Sequence, residues 1–189
     1  MPPLEPILTP EEFSTGTGGK VLATDPRLAL LLAGASAAVR RYCGWHVTPV
    51  LTEELVLDGP GGTHLPLPTL HLTGVAKVER SGNVLVDGVD YEWSQLGAVQ
   101  ALRGTWGDRY RSIRAEITHG YDEDEAADVR AIVQQIVANA AASPMGATRE
   151  QAGAVAISWA TTAPGVSGGI SLLARDLAVL DLYRLAKGA

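Results

Sequence analysis

The chain has 189 residues, of which 46 % are hydrophobic and 19 % charged, a composition typical of a folded domain rather than a disordered segment. Its formal net charge is −6 and its pI about 5.2, which argues against a protein that grips DNA through a broad basic face. The single cysteine, Cys43, excludes an intramolecular disulfide and fits a reducing compartment.

Residues 1–24 are expected to form an N-terminal arm, because prolines and the glycine cluster of STGTGGK interrupt any periodic pattern. Within it, TPEE favours one short helical turn, with Thr9 as the N-cap, Pro10 as the first helical residue and Glu12 two positions later. The segment lacks the basic and apolar regions of a secretory signal. The apolar run LALLLAGASAAV is too short to span a bilayer, so we expect a protein made in the cytoplasm without a membrane partner.

A first helix is predicted over residues 25–43, where Asp25 can serve as the N-cap and Pro26 suits the first position. Its apolar residues recur at steps of three and four, which gives one buried stripe: Leu28, Leu31, Leu32, Ala35, Val39 and Tyr42. Gly44 is the expected end of the helix.

Residues 50–118 are predicted to be β-structure, because turn signals such as DGPGG, SGN and RGTWGDR separate short strand-like runs. In the clearest strand, Ile113, Ala115 and Ile117 lie on one face and alternate with polar residues on the other. This period of two predicts a sheet with one buried face.

A second helix is predicted over residues 122–142, and the Ser-Pro pair at 143–144 should end it. Its apolar stripe consists of Val129, Ile132, Val133, Ile136, Val137 and Ala140. A strand-like run, 155–159, and a Gly-rich linker, 161–169, come next, and a C-terminal helix is predicted at about 170–186. The fold class is therefore predicted as α+β: a small helical bundle with an inserted β-rich region and a C-terminal helix. The predicted divisions are an arm (1–24), a central domain (25–160), and the linker with the last helix (161–189).

The acidic run DEDEAAD at 122–128 has two interpretations, a Mg²⁺ site and a helix start. Asp122 and Glu125 have the spacing of a capping box, and the other carboxylates lie where the helix dipole favours negative charge. Consecutive helical residues diverge by about 100° per step and do not converge on one ion. The run therefore favours a structural helix start.

Other patterns give no catalytic or cofactor site. STGTGGKV lacks the first glycine and the final hydroxyl of a phosphate-binding loop, and the four histidines, His46, His64, His71 and His119, show no metal-ligand spacing. Cys43 lies at a helix C-terminus, which favours a packed thiol. The four tryptophans, Trp45, Trp93, Trp106 and Trp159, are interpreted as packing or interface anchors. No metal or cofactor is expected.

The order of the segments resembles the head–tail connector, or adaptor, proteins of long-tailed bacteriophages. The first helix ends in RRYCGWHVTP, a turn-rich β-region follows, and the last strand of that region leads through THGY, residues 118–121, into an acidic helix start. Arg41 to Trp45 match the family's pattern at the end of the first helix. The resemblance covers about residues 25–185 and leaves the N-terminal arm unmatched.

The resemblance implies a non-enzymatic virion protein of the neck, made in the host bacterial cytoplasm. In that family a homo-oligomeric ring, of twelve copies, lies below the portal protein, continues the DNA channel without binding DNA specifically, and receives the next tail-joining, or stopper, protein. The candidate interface residues lie on the C-terminal helix and in the 103–109 loop: Leu173, Leu177, Leu180, Tyr183, Arg184, Trp106 and Arg109.

Three questions remain open from the sequence. The C-terminal helix has an apolar side that either folds back on its own bundle or docks on a neighbouring subunit or the portal. A small ligand-binding or hydrolytic domain would instead need a deep pocket with perturbed ionisable groups. A nucleic-acid-binding accessory protein would need Arg103, Arg109, Arg111 and Arg114 on one face with Trp106.

Overall fold

A computed structural model describes residues 4–142, 149–152, 155–158 and 171–186 of the chain. It confirms the predicted α+β class. In chain order the elements are α1 (Pro10–Gly16), α2 (Leu28–Cys43), β1 (Leu51–Leu57), β2 (His64–Pro66), β3 (Leu72–Arg80), β4 (Asn83–Leu85), β5 (Tyr91–Ser94), β6 (Ala98–Ala101), β7 (Ile113–His119), α3 (Ala127–Ala142), β8 (Arg149–Ala152), β9 (Val155–Ser158) and α4 (Ala174–Leu180), which continues as a 3₁₀ turn at Asp181–Tyr183.

The chain divides into two compact units, each built from two separated segments. The helical unit contains residues 1–43 and 126–182, and the sheet unit contains residues 44–125 and 183–189. The boundary predicted at residue 24 lies inside the helical unit, and the one at 160 lies outside the described residues, so the three-part division stays a prediction.

The helical unit is held together by the apolar stripes that the sequence predicted. The α2 stripe is buried at Leu28, Leu32, Ala35 and Val39, and that of α3 at Val129, Ile132, Val133, Ile136, Val137 and Ala140. These two helices pack on each other because each leaves one apolar side to be covered.

The C-terminal helix α4 packs on α2 and α3 of its own chain. Leu180 is fully buried, and its carbonyl oxygen lies 3.8 Å from the Cys43 sulfur, so the predicted packed thiol is confirmed. The Tyr42 hydroxyl donates to Asp181 over 2.6 Å. The helix is shorter than the predicted 170–186, and the linker at 161–169 lies outside the described residues.

The N-terminal segment packs into the helical unit from Ile7 onward. Ile7 and Phe13 are buried, and the Ile7 amide donates to the buried Ser36 hydroxyl over 2.9 Å. The capping box at the start of α1 is confirmed: the Glu12 amide donates to Thr9 Oγ1 at 3.2 Å, and the Thr9 amide donates to Glu12 Oε2 at 2.7 Å. A description of this segment as an arm misses these contacts, because three buried apolar side chains, Ile7, Leu8 and Phe13, and one cap were too few to produce a periodic pattern.

Both long helices begin later than predicted. In α2 the side chain of Asp25 accepts the Arg27 amide at 2.9 Å, and the helix begins at Leu28. In α3 the box residues close a separate turn, and the helix begins at Ala127. Local capping pairs therefore fixed a turn just before each helix rather than its first residue.

The sheet unit contains a four-stranded antiparallel sheet in the order β1-β7-β3-β4 and a three-stranded sheet in the order β2-β6-β5. Strand β7 is central to the larger sheet and shows the predicted alternation, with Ile113, Ala115 and Ile117 buried. Their side chains join one apolar core with Leu65, Leu67, Leu72, Val78, Tyr91, Val99, Ala101 and Trp106.

A further two-stranded sheet pairs β8 with β9. The predicted strand-like run at 155–159 is therefore confirmed over Val155–Ser158, whereas Trp159 lies outside the described residues. The sequence did not predict β8.

Candidate functional site

The ends of three strands meet in a cluster of aromatic and histidine side chains within the sheet unit. Antiparallel pairing places the starts of β1 and β3 beside the end of β7, because Leu51 and Leu72 both pair with His119. The residues just outside these strand ends therefore converge. The cluster consists of Trp45, His46, His71, His119, Tyr121 and Tyr183.

Tyr121 is at the centre of this aromatic–histidine cluster. Its ring stacks on His71 with centroids 4.4 Å apart and planes 9° from parallel. It meets Trp45 and Tyr183 edge-on, at 5.8 Å and 5.2 Å. Such arrangements stabilise aromatic pairs by about 0.5–1.5 kcal/mol beyond the area they bury. Burial raises the pKa of the Tyr121 phenol, and the negative charge of the nearby Glu125 carboxylate raises it further.

Hydrogen bonds tie the C-terminal segment to the same cluster. The Trp45 indole Nε1 donates to the Tyr183 carbonyl over 2.6 Å, and the Tyr183 hydroxyl lies 3.4 Å from the Glu125 carbonyl. The His71 Nδ1 lies 2.9 Å from the Gly120 carbonyl. The cluster therefore fixes four segments that are distant in sequence.

The buried His119 pairs with the half-buried Glu53. The histidine is 1 % exposed, and its Nε2 lies 3.0 Å from Glu53 Oε1. Burial lowers the pKa of His119, and the hydrogen bond and negative charge of Glu53 oppose this effect. Although a histidine–carboxylate pair can act as a base, this imidazole is covered by its neighbours Trp45 and His46 and presents no open face to a substrate.

The acidic run forms the predicted capping box. The Glu125 amide donates to Asp122 Oδ1 at 2.8 Å, and the Asp122 amide donates to Glu125 Oε2 at 3.1 Å. Among residues 4–142, 149–152, 155–158 and 171–186, no three metal-ligating side chains are grouped so that they could hold an ion. The carboxylates here serve the turn that precedes α3.

The predicted interface residues separate into buried and exposed positions. Leu180 and Trp106 are buried within their own units at 0 % and 1 % exposure, so neither presents a surface to a partner. Trp106 was interpreted as a packing or interface anchor and was included among the candidate interface residues. Instead, its indole Nε1 donates to the Thr63 carbonyl at 2.9 Å and its ring joins the apolar core.

The other five predicted interface residues keep part of their surface open. Arg109 and Arg184 are exposed, whereas Leu173, Leu177 and Tyr183 are half-buried. Nothing in the structure tests whether they contact a partner, so their role stays a prediction. The sequence interpretation missed Tyr110, which is exposed beside Arg109, and named Arg111 only for the nucleic-acid-binding alternative. It also missed the aromatic–histidine cluster.

Two open grooves are candidate ligand sites, one in each unit. In the sheet unit, a groove of about 410 Å³ is lined by Leu57, Leu67, Leu185 and neighbouring residues, none of them ionisable. In the helical unit, a groove of about 540 Å³ includes Asp25 and Arg27, which pair with each other at 2.9 Å. Neither groove offers ionisable groups arranged for catalysis.

Comparison with known proteins identifies a similar fold only among solved structures. No family model matches the chain, and no curated protein matches it. Among solved structures, a chain of the neck of a native GTA (gene transfer agent) particle, computed with C12 symmetry, matches at TM-score 0.59 and 15 % identity, over 97 % of this chain and 91 % of that one. A chain of the neck of an empty GTA particle, computed with C6 symmetry, matches at TM-score 0.57 and 15 % identity, over 97 % and 92 %. The chain therefore shares the fold of a neck component across nearly its whole length. None of its described helices is long and apolar enough to cross a membrane.

Proposed function

We propose that this protein is a head–tail connector, an adaptor subunit that forms a ring below a portal and joins a capsid to a tail. The observation that carries the proposal is the fold likeness to neck chains over 97 % of the chain. The sequence motifs at residues 41–45 and 118–121 support it separately, because they resemble the connector family's pattern independently of the fold.

The symmetry of the similar particles supports a homo-oligomeric ring. Their necks were computed with C12 and C6 symmetry, and both are compatible with twelve identical copies around one axis. In this arrangement the protein is located in the virion neck after its synthesis in the host cytoplasm. It contacts the portal on one side and the next tail-joining protein on the other.

The net charge of −6 suits a channel wall past which DNA must move. A strongly basic lining would bind phosphates and release condensed counterions, which would hold the DNA in place. The protein then acts without catalysis: its shape and its contacts with partners provide the function.

The other two functions that the sequence left open are a nucleic-acid-binding accessory protein and a small ligand-binding or hydrolytic domain, and no specific observation favours either. A nucleic-acid-binding surface was expected to combine arginines with Trp106, and that side chain is in the apolar core. A hydrolytic site was expected in a pocket with perturbed ionisable groups, and the imidazole of the His119–Glu53 pair is buried rather than open to a pocket.

Deletion of the gene in the particle-producing strain, with complementation by an epitope-tagged copy, tests this function. We expect the deletion to leave filled heads and separate tails, and we expect antibody against the tag to label the neck of complemented particles in electron micrographs. Normal tailed particles after deletion, or label on the capsid or tail tip, would contradict the proposal.

A further inference from the structure

Strand β7 connects two exposed surfaces of opposite charge within the sheet unit. Before it lies the basic loop, residues 102–112, which exposes Arg103, Arg109 and Arg111. After it lies the acidic turn, residues 122–125, in which all four side chains are carboxylates and all are exposed. The seven residues of β7 separate the two by about 20 Å, since a strand rises about 3.4 Å per residue.

The basic loop is held in one shape by its neighbour, the 58–62 loop. The Gly59 amide donates to the Arg109 carbonyl at 2.9 Å, and the Gly61 amide donates to the Gly107 carbonyl at 2.6 Å. The Trp106 amide donates to the Gly62 carbonyl at 2.9 Å, and its side chain is buried beneath. The exposed side chains are therefore displayed on a rigid support, which lowers the entropy lost on binding.

Two residues of the basic loop are difficult to explain by folding alone. Tyr110 is 86 % exposed, so its ring contributes little to the core. Arg111 adopts a left-handed φ of 52°, where glycine or asparagine is less strained, and its amide donates to Asp58 Oδ1 at 2.7 Å. An arginine at a strained, exposed position suggests that its side chain serves a contact outside the subunit.

The arginines of this loop carry charge that the subunit does not neutralise. None of Arg103, Arg109 and Arg111 forms an ion pair with any residue in the described parts of the chain. The carboxylates nearby in sequence and space are Asp58, which accepts the Arg111 amide, and Asp108, which is itself exposed. Tyrosine and arginine are the side chains most enriched at the centres of protein interfaces.

In the acidic turn, half of the carboxylates are dispensable for the cap. Asp122 and Glu125 make the reciprocal hydrogen bonds of the capping box. Glu123 and Asp124 lie between them on the exposed side and are not part of the box. Two carboxylates in adjacent positions match the charge of two arginines two residues apart.

We infer that the basic loop of one copy docks on the acidic turn of the next copy around the ring. This inference rests on the proposed function, because a closed ring of identical subunits needs two different, complementary surfaces on each subunit. Opposite charges at the two ends of one rigid strand provide such a pair. Arg109 and Arg111 bind Glu123 and Asp124 of the neighbour, and Tyr110 packs between them.

A charge exchange in the particle-producing strain tests this contact. Arg109→Glu with Arg111→Glu places four carboxylates against one another, and we expect the yield of tailed particles to fall about 100-fold, since like charges across an interface cost several kcal/mol. Glu123→Arg with Asp124→Arg should cause a similar loss. The four changes together restore opposite charges, and we expect them to recover most of the yield.

A matched control reverses two exposed cations of the helical unit, Lys20→Glu and Arg27→Glu, with the same change in net charge. We expect it to assemble nearly normally. As a second control, Arg111→Gly relieves the left-handed strain, so its subunit should melt within a few degrees of the parent while tailed particles decrease.

Normal assembly of either double reversal, or failure of the quadruple variant to recover, overturns the inference. Binding of duplex DNA by the purified parent that is lost in Arg109→Glu with Arg111→Glu would assign the loop to nucleic acid and also overturn it. These outcomes differ from a failure of the proposed function, in which the tagged parent protein itself is absent from the necks.

Discussion

At one end of β7, Tyr110 is 86 % exposed on the basic loop, and at the other end Trp45 is 6 % exposed among His119 and Tyr121. Both are large aromatic side chains beside strand ends of the same sheet. At the His119 end of β7 the aromatic rings cover one another and hold distant segments together. At the other end the basic loop is fixed by backbone hydrogen bonds and by buried Trp106, so the Tyr110 ring does not contribute to the core.

The two ends of β7 therefore have different roles within the sheet unit: one stabilises the fold, and the other is available for contacts with other subunits. Side chains of the aromatic–histidine cluster should control the free energy of unfolding and affect assembly only through folding. The exposed side chains of the basic loop should control assembly and leave folding nearly unchanged. Substitutions at the two ends of β7 therefore test whether the two groups of side chains have these separate roles.

The largest effect is expected from Trp45→Ala. The substitution removes ring contacts with His119 and Tyr121 and the hydrogen bond to the Tyr183 carbonyl, so the free energy of unfolding should fall by about 3–5 kcal/mol. Urea denaturation followed by circular dichroism measures the change. A loss below about 1 kcal/mol would mean that the cluster is not a structural centre.

Asp122→Ala should cost less, because it removes one side chain of the capping box and no buried ring. We expect a loss of about 0.5–2 kcal/mol, whereas Asp124→Ala, which leaves the box intact, should remain within about 0.5 kcal/mol of the parent. The same denaturation experiment compares both variants. Equal losses at the two positions would contradict the assignment of Asp122 as the cap.

A pH effect should arise from His119. Because burial lowers its pKa in the folded protein, the unfolded chain binds more protons as the pH falls below about 6.5. The contribution of the neutral, buried imidazole is therefore complete above that pH and is lost as the pH falls from about 6.5 to the folded-state pKa, with a slope of at most about 1.4 kcal/mol per pH unit.

Comparison of the parent with His119→Gln between pH 7.5 and 5.5 isolates this contribution, because glutamine can still donate to Glu53 and does not titrate. The variant should show a smaller fall in the free energy of unfolding over this range. Glu53→Gln should show a larger fall, since the carboxylate raises the pKa of His119. An identical pH dependence in all three proteins would contradict the assignment.

The smallest effect on folding is expected at Tyr110. Tyr110→Ala should change the free energy of unfolding by less than about 0.5 kcal/mol, because the side chain is almost entirely in solvent. Tailed-particle yield should nevertheless fall. A large loss of stability without an assembly defect would reverse the roles assigned to the two ends of β7.

The sequence was most informative where the physical signal is local. Thr9 with Glu12, and Asp122 with Glu125, are three residues apart, and both capping boxes are present in the structure. The alternation of Ile113 with its neighbours likewise lies within one strand. Fold class followed from these local patterns and from the order of the segments.

The missed features depend on contacts between distant segments. Trp45, His71 and His119 meet only because β1 and β3 pair with β7 in one register, which no single segment specifies. Trp106 was interpreted as an interface anchor because an isolated tryptophan pattern does not distinguish burial in the core from exposure on a loop. Its neighbour Tyr110 takes the exposed position instead.

Electron cryomicroscopy of purified particles, with local reconstruction of the neck, tests directly whether the protein forms a connector ring. We expect a ring of identical copies between portal and tail, and we expect the helical unit and the sheet unit to fit its density separately. The basic loop of each copy should lie against the acidic turn of the next. A neck reconstruction in which neither unit fits any density, from particles shown to contain the protein elsewhere, would contradict it.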